Sequence, residues 1–527
     1  MPEAVTPQGA VPDADVIVVG AGPVGLMLAC ELALAGTDVL VLERAADFDR
    51  RLRAPGITAR SIEALDRRGL LDPLMEATAR AEPAYRTERA PHGRAPEMLP
   101  VRAGILEEVL YDCLVRLGGR LERGLSVTGV TGVTDATDTT NTTDVTDAPV
   151  VVTATDGDGR GRAFRAAYVV GCDGGRSAVR KALGVGFPGG GPEVTGYQAV
   201  VTVEPEGALE RTWSRTPRGI AAYALGPSRI VSVEFDTPPV DRHREVTLDE
   251  VEASLRRTSG VEVTLSDPVS LARFTGNCRL AERYRRGRVF LAGDAAHVHP
   301  PFGGQGLNLG LQDAVNLGWK LAAAVRGDAP AGLLDSYESE RRPVAARVLR
   351  NSEAATRLLH PGAHNNAPYE LFFRELMTDP AVKQRLHDVY AMKDLIYPMG
   401  GDGGDGGDSE ESDLLGRAAP DLLLERPRPY DGAGQVRLAT LQRAGRAVLV
   451  HTTDHSELPR LAEGWRDRVD VVAAGAVSPE IPTPLLIRPD GYVAWACGTD
   501  PDGLTAALHH WFGEPAGTSG SGTARAA

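Results

Sequence analysis

Residues Asp15–Arg44 read DVIVVGAGPVGLMLACELALAGTDVLVLER. An apolar, β-branched run, Val16–Val19, stops at a glycine. An apolar segment with helical spacing follows, and a second strand-like run closes at Glu43. That order is a βαβ unit. Gly20-Ala21-Gly22-Pro23-Val24-Gly25 is GxGxxG at its strand-to-helix turn. Gly20 permits the tight turn, Gly22 lets backbone approach a pyrophosphate, and Gly25 lets helix and strand pack closely. The helix N-terminus then faces phosphate charge. Glu43 stands where a carboxylate accepts hydrogen bonds from a ribose diol, with Arg44 beside it as a further cofactor-binding candidate. The unit predicts nucleotide binding but does not choose between NAD and FAD.

A second glycine-rich stretch makes that choice. AGDAAHVHPPFGGQGLN, Ala292–Asn308, continues the buried-strand pattern RVFL. Asp294 stands at the strand's end, suited to a sugar-like hydroxyl. Pro301, Gly304 and Gly306 shape a tight turn into a helix at Leu307 and Asn308, whose first N–H groups would face a carbonyl or an anion. A cofactor with a polyol and a large ring needs a second anchor this far from the first, which predicts FAD extended across one domain. His297 and His299 form HxH, a pattern that can supply two metal ligands. No Cys or further His joins them nearby, so no metal is expected.

A third segment, GCDGGRSAVR from Gly171 to Arg180, ends an apolar strand and enters a short helix. Asp173 is placed to cap backbone N–H groups, and Arg180 to serve a phosphate. A capped turn with a surface Arg explains the segment equally well by itself.

The rest of the chain bounds the function. At 527 residues with 42% hydrophobic and 24% charged content, it has material for several domains. A net charge of -14 provides no global basic field to draw in nucleic acid or an anionic membrane. The five dispersed cysteines form no CxxC and read as reduced thiols in a cytoplasm. No secretory leader or membrane-spanning run is apparent.

The expected organisation is α/β. A Rossmann-like FAD-binding domain spans residues 15–185 and resumes at 276–398, with helices. A mostly antiparallel β-sheet domain for substrate, 186–275, is inserted between the two parts. An acidic Gly-rich linker, 399–413, leads to a small α/β domain, 414–515. A Thr/Asp-rich low-complexity stretch near residues 131–149 reads as a hairpin tip. Tyr197, Trp213, Tyr223 and Phe235 in the inserted sheet are substrate-contact candidates, although for each of them the core-aromatic reading is the stronger.

Together, GAGPVG, GCDGGRSAVR and AGDAAHVHPPFGGQGLN resemble, in that order, the motifs of the class A flavin monooxygenases of the p-hydroxybenzoate hydroxylase type. The similarity runs from Asp15 to about Leu359. It is closer still to the subgroup acting on aromatic polyketides, whose carboxyl-terminal domain is thioredoxin-like without CxxC; LLIRPDGYVAWAC is the best-matching piece here.

The resemblance implies FAD, with NADPH as a transient co-substrate and O2 as oxidant. It implies hydroxylation of a polycyclic aromatic polyketide, in antibiotic biosynthesis, through a flavin C4a-hydroperoxide. A dry site would be needed, because water lets the peroxide collapse to H2O2. Asp294 would bind the ribityl chain, and Asp173 with Arg180 would support the pyrophosphate or NADPH use. Arg53, in RLRAPGITAR, falls where the family has a flavin-contacting Arg and is the one catalytic candidate. Arg102 or Ala103 falls where the family often has a Gln that contacts FAD. Baeyer–Villiger oxygenation of a ketone and hydroxylating inactivation of an antibiotic are the alternatives. The carboxyl-terminal domain would be structural or an oligomerisation surface, with a homodimer possible.

Overall fold

Strand β1, Ala14–Val19, runs through the centre of the main sheet, and the motif glycines follow it directly into helix α1, Pro23–Leu34. The computed structural model describes residues 12–48, 56–133, 148–210, 212–223, 229–236, 244–399, 414–425, 434–452, 455, 457–476, 484–496 and 501–516. Arg53, Cys497, most of the Thr/Asp tip and all of the acidic linker but Met399 lie outside the described residues.

Beyond α1 the chain forms β2, Val39–Glu43, then helix α2, Ala103–Arg116, and β3, Arg120–Arg123. A hairpin of β4, Ser126–Thr131, and β5, Val150–Thr155, leads into the long strand β6, Gly161–Gly171. The antiparallel insertion comes next: β7, Val194–Glu204; β8, Trp213–Thr216; β9, Gly219–Tyr223; β10, Arg229–Phe235; helix α3, Leu248–Ser259; and β11, Thr264–Thr275. The chain then returns to the main sheet through β12, Arg285–Arg286, and β13, Val289–Leu291.

The main sheet is ordered β12-β13-β6-β1-β2-β3, with β5 on the far part of β6. Val19 pairs with Gly171 and with Leu42, and Gly171 pairs with Leu291, all in parallel register. Four parallel neighbours, β13, β6, β1 and β2, therefore end on one edge. The loops carrying Asp294, Asp173, the GxGxxG turn and Glu43 all leave from that edge, which is where open α/β sheets bind ligands.

Helix α4, Gln305–Arg326, packs on α1 through two glycines. A Cβ on Gly310 would stand 2.6 Å from Val24, and one on Gly318 would stand 2.5 Å from Glu31. Such close helix contact is available only without side chains at those points. Helix α5, Asp335–Leu359, follows, and then two helices, α6, Ala363–Glu370, and α7, Pro380–Tyr390, in which no residue is buried.

The inserted sheet, ordered β8-β9-β10-β7-β11, has two different faces. One packs on α3 through Tyr197, Ala199, Ile230 and Leu255. The other faces α5, α6 and α7. Near the carboxyl terminus, β14, Ala447–His451, pairs parallel with β15, Val469–Ala473, and antiparallel with β16, Leu485–Ile487, which pairs with β17, Val493–Ala496. Helix α8, Pro501–Phe512, follows.

This last unit is locked onto the rest by buried charge. Arg488 donates to Glu340 Oε1 at 2.7 Å and also pairs with Asp490, while Lys320 donates to Glu340 Oε2 at 2.8 Å. Arg68 holds Glu31 through two bonds of 2.8 Å and donates to the carbonyls of Gln442 and Pro489. Every charge in these groups has an opposite partner, as burial demands. No helix among the described residues is long and apolar enough to cross a membrane.

Candidate active site

The first turn is fixed by its own glycines. A Cβ on Gly25 would fall 1.9 Å from the Gly20 carbonyl oxygen, and one on Gly20, at φ +106°, would fall 2.5 Å from the Cys172 carbonyl oxygen. Gly22 is different: a Cβ there would meet nothing within 4 Å. The space beside Gly22, at the start of α1, is thus open while the other two glycines are closed by protein. Glu43 Oε2 accepts a hydrogen bond from the Ala21 N–H at 2.7 Å, and its Oε1 accepts one from Ala45 at 2.7 Å, so the acid is held against the turn. Arg44 is exposed just beyond.

The middle loop leans on the first. Asp173 Oδ2 accepts from the Ala178 N–H at 2.6 Å and from Val179 at 3.2 Å. Its Oδ1 is buried with no hydrogen-bond partner among the described residues. Arg180, the phosphate candidate of this loop, is buried and turns its guanidinium to protein groups. Its guanidinium donates to the Ala295 carbonyl at 2.7 Å and to the Gly175 carbonyl at 2.9 Å, and stacks over Phe187 at 3.8 Å. A buried guanidinium must satisfy its donors, and here two backbone loops do so. Arg180 therefore ties the middle loop to the third.

In the third loop Asp294 is the one exposed residue between Leu291 and His297. Beneath it, the Gly293 N–H donates to Asp313 Oδ2 at 3.1 Å. The same oxygen is 2.6 Å from His297 Nε2, and Arg341 Nε donates to Asp313 Oδ1 at 2.8 Å. Burial works to raise the Asp313 carboxyl, but His297 and Arg341 outweigh it and hold it below its usual range. The first histidine of HxH is thus a prop under the Asp294 loop. The second, His299, lies 2.8 Å from the Pro300 carbonyl and 2.9 Å from Ser352 Oγ, both through Nδ1. Burial, against the pull of that carbonyl, pushes its imidazole down to about 4. Its Nε2 is buried with no partner among the described residues, 3.4 Å from where a Cβ on Gly306 would lie.

Gly303 and Gly304 take φ of +88° and +63° before α4 begins, and Gly304 offers no capping side chain. The end of α4 is thus left open toward the loops. Asn308 stitches it in place: Oδ1 accepts from the Thr58 N–H at 2.9 Å and Nδ2 donates to the Gly304 carbonyl at 3.1 Å. Leu307 is half-buried and Pro301 exposed.

The fit to FAD can be judged from these atoms. An open gap beside Gly22, a buried unpaired Asp173 oxygen and an exposed Asp294 lie along one sheet edge, as a long dinucleotide with a polyol requires. Arg102 caps the start of α2, where its backbone is extended, and pairs with Glu82; Ala103 is the first helical residue.

A cavity of about 860 Å³ lies beside the third loop. Pro301, Phe302 and Gly303 form one wall, and the inserted sheet, α5 and α7 form the others. Trp213 lines it, and its ring is 6.5 Å from that of Phe373. Phe235 stacks parallel to Phe302 at 6.5 Å, at the junction of sheet and loop. Tyr197 and Tyr223 are on the opposite face. Tyr197 is buried against α3 and donates to Glu250 at 2.9 Å, and Tyr223 packs in the same cluster. Strand alternation puts Gln198 and Arg229 on the cavity side instead. Arg229 donates to Gln198 Oε1 at 2.8 Å and is 5% exposed. Burial, the largest influence on it, lowers its pKa. Sequence reading missed both; a charged residue opening the apolar run RIVSVEF was the available signal.

Comparisons with known proteins agree with this geometry. A family model described as an FAD binding domain matches residues 13–352, and one described as the C-terminal part of an aromatic-ring hydroxylase matches residues 412–515. The chain is 41% identical over 534 residues to 12-dehydrotetracycline 5-monooxygenase/anhydrotetracycline 6-monooxygenase of Streptomyces rimosus subsp. rimosus, covering 95% of this chain and 99% of the relative. It is 39% identical over 525 residues to a rifampicin monooxygenase of Streptomyces venezuelae, covering 95% and 98%. Among solved structures, the OxyS anhydrotetracycline hydroxylase from Streptomyces rimosus superposes with a TM-score of 0.81 at 40% identity, over 95% of this chain and 100% of that one.

Proposed function

The chain belongs to the FAD-dependent aromatic-ring hydroxylases of the class A flavin monooxygenases, and from that membership we propose that it hydroxylates a polycyclic aromatic polyketide with NADPH as reductant. FAD, when bound and reduced, supplies the activation of O2. The protein supplies placement and dryness.

The observation that carries this reading is a shared wall. Pro301–Gly303, the turn that opens α4 toward the cofactor loops, also bounds the 860 Å³ cavity. A substrate in that cavity lies directly against the cofactor's site. The volume suits a fused-ring molecule, and the walls are mostly apolar, with Gln198, Arg229 and Asn351 as the polar points. Phe235 and Phe302 put two stacked apolar rings at the junction, which favours the dry site a coupled reaction needs. His299 stays uncharged at working pH, so it adds no positive charge beneath the turn.

NADPH consumption by the purified yellow protein, with and without polycyclic phenols and quinones, tests the reading. Rifampicin belongs in that panel because a relative is named for it. Ligand-dependent NADPH loss with little H2O2 supports it, and product NMR distinguishes a new phenol from a ring-expanded ester. A protein that binds no FAD and leaves NADPH untouched refutes it.

A further inference from the structure

Away from the active site, α1 and α2 enclose a second cavity of about 320 Å³. Cys30 and Cys113 both line it, with Glu31, Arg68 and Arg116. Cys30 Sγ donates to the Leu110 carbonyl at 3.2 Å, one turn before Cys113 on the same helix, so α1 carries its thiol to the stretch of α2 that bears the second one. Both are free; Cys30 is 4% exposed and Cys113 9%.

The geometry points to Cys113 and Cys30 as a peroxide-sensitive thiol pair that closes to a disulfide between α1 and α2. The two sulfurs differ in the way such chemistry needs. The neighbouring Cys30 thiol lowers the Cys113 thiol, with Arg116 adding to this and burial opposing. Cys113 and burial together raise the Cys30 thiol. Cys113 is the thiolate and nucleophile, and Cys30 holds its proton as the resolving partner.

The steps balance. The Cys113 thiolate attacks one oxygen of H2O2, the O–O bond breaks, and hydroxide leaves a sulfenic acid. Cys30 sulfur then attacks the Cys113 sulfur. An S–S bond forms, the S–O bond breaks, and the Cys30 proton leaves with the oxygen as water. Both sulfurs are oxidised by one peroxide, which is reduced to water. The source of peroxide rests on the function proposed above, because a flavin monooxygenase turning over without a bound ring releases H2O2. The cavity admits a molecule of that size and sits under α1, whose N-terminus carries the GxGxxG turn.

The test treats the holoenzyme with reagent H2O2, blocks residual thiols, digests without reductant and maps the peptides. The expected result is a Cys30 peptide joined to a Cys113 peptide, lost on treatment with dithiothreitol. Cys30→Ser should leave Cys113 as a sulfenic acid that dimedone captures, and Cys113→Ser should leave Cys30 reduced. Wild-type enzyme in which Cys113 stays reduced, or is oxidised without joining Cys30, overturns the proposal whatever the variants do. A parallel incubation with NADPH and O2 alone, with and without catalase, separates the two readings. A catalase-sensitive link supports both. Absence of NADPH oxidation and of peroxide counts against the monooxygenase reading, and the reagent arm alone then decides the thiol pair.

Discussion

The ring of Tyr390 occupies the space that a side chain on Gly303 would need: a Cβ there would stand 2.3 Å from the ring. Tyr390 closes α7, and Gly303 precedes α4, so this contact joins the cover of the cavity to the cofactor-side turn. At φ +88° Gly303 also holds a conformation that other residues resist. Gly303→Ala should therefore displace the turn, the cover or both. The expected phenotype is retained FAD with a fall in coupled turnover of roughly 10–100-fold, since small misplacements near reacting atoms cost that much. The check is H2O2 formed per NADPH consumed, which should rise in the variant.

Two glycines of the first motif should fail in different ways. Gly25→Ala drives a methyl against the Gly20 carbonyl at 1.9 Å, so the turn cannot form and soluble yield should collapse. Gly22→Ala meets no protein atom within 4 Å, so the apoprotein should fold normally. Its methyl would instead point into the open space proposed for the pyrophosphate. Circular dichroism with flavin titration distinguishes them: Gly22→Ala should keep the wild-type spectrum and lose FAD affinity by at least tenfold, about 1.4 kcal/mol.

The inserted sheet offers a control for face assignment. Tyr197→Phe removes the hydroxyl that donates to Glu250 on the α3 side. It should cost about 1 kcal/mol of stability and leave KM unchanged. Trp213→Ala changes a cavity wall and should raise KM with little effect on Tm. A Tyr197→Phe variant with altered KM would contradict the placement of that residue.

These cases mark how far the sequence could be read. The three glycine-rich loops were legible because each needs particular residue types at a strand end, and parallel register alone brings them to one edge. Tyr197 and Gln198 were not separable, because β7 is buried on both faces over much of its length and alternation then carries no label for inside or outside. Arg180 looked like a phosphate ligand because its sequence neighbours are motif residues. Its partners, Gly175 and Ala295, include one 115 positions away, which no local pattern reveals. The lock between Arg488 and Glu340 spans 148 positions and was invisible for the same reason.

That lock gives a stability prediction. Glu340 is 3% exposed and accepts from both Lys320 and Arg488. Glu340→Gln would leave two buried cations short of a counter-charge. Breaking one side of such a group costs about 3–5 kcal/mol. Urea unfolding should show a loss of that order, and the Glu340→Gln/Arg488→Met double variant should recover part of it.

The pH dependence follows from His299. Its imidazole, with an ordinary value of 6.5, is pushed down to about 4 by burial. Below 6.5 the unfolded chain takes up a proton that the folded chain refuses, so stability falls as the pH drops toward 4 and this contribution levels off below that. The sign is that of a depressed folded value: the stabilisation is complete above 6.5 and is lost on acidification. Across that window the loss should reach about 3 kcal/mol. His299→Asn has no titrating group there, so the wild-type-minus-variant difference in unfolding free energy isolates the term from the carboxylates. That difference should decrease steadily between pH 6.5 and 4 and stay flat from 7 to 8. A difference independent of pH would mean that the buried Nε2 accepts a proton in the folded state and that the end of α4 tolerates a charge.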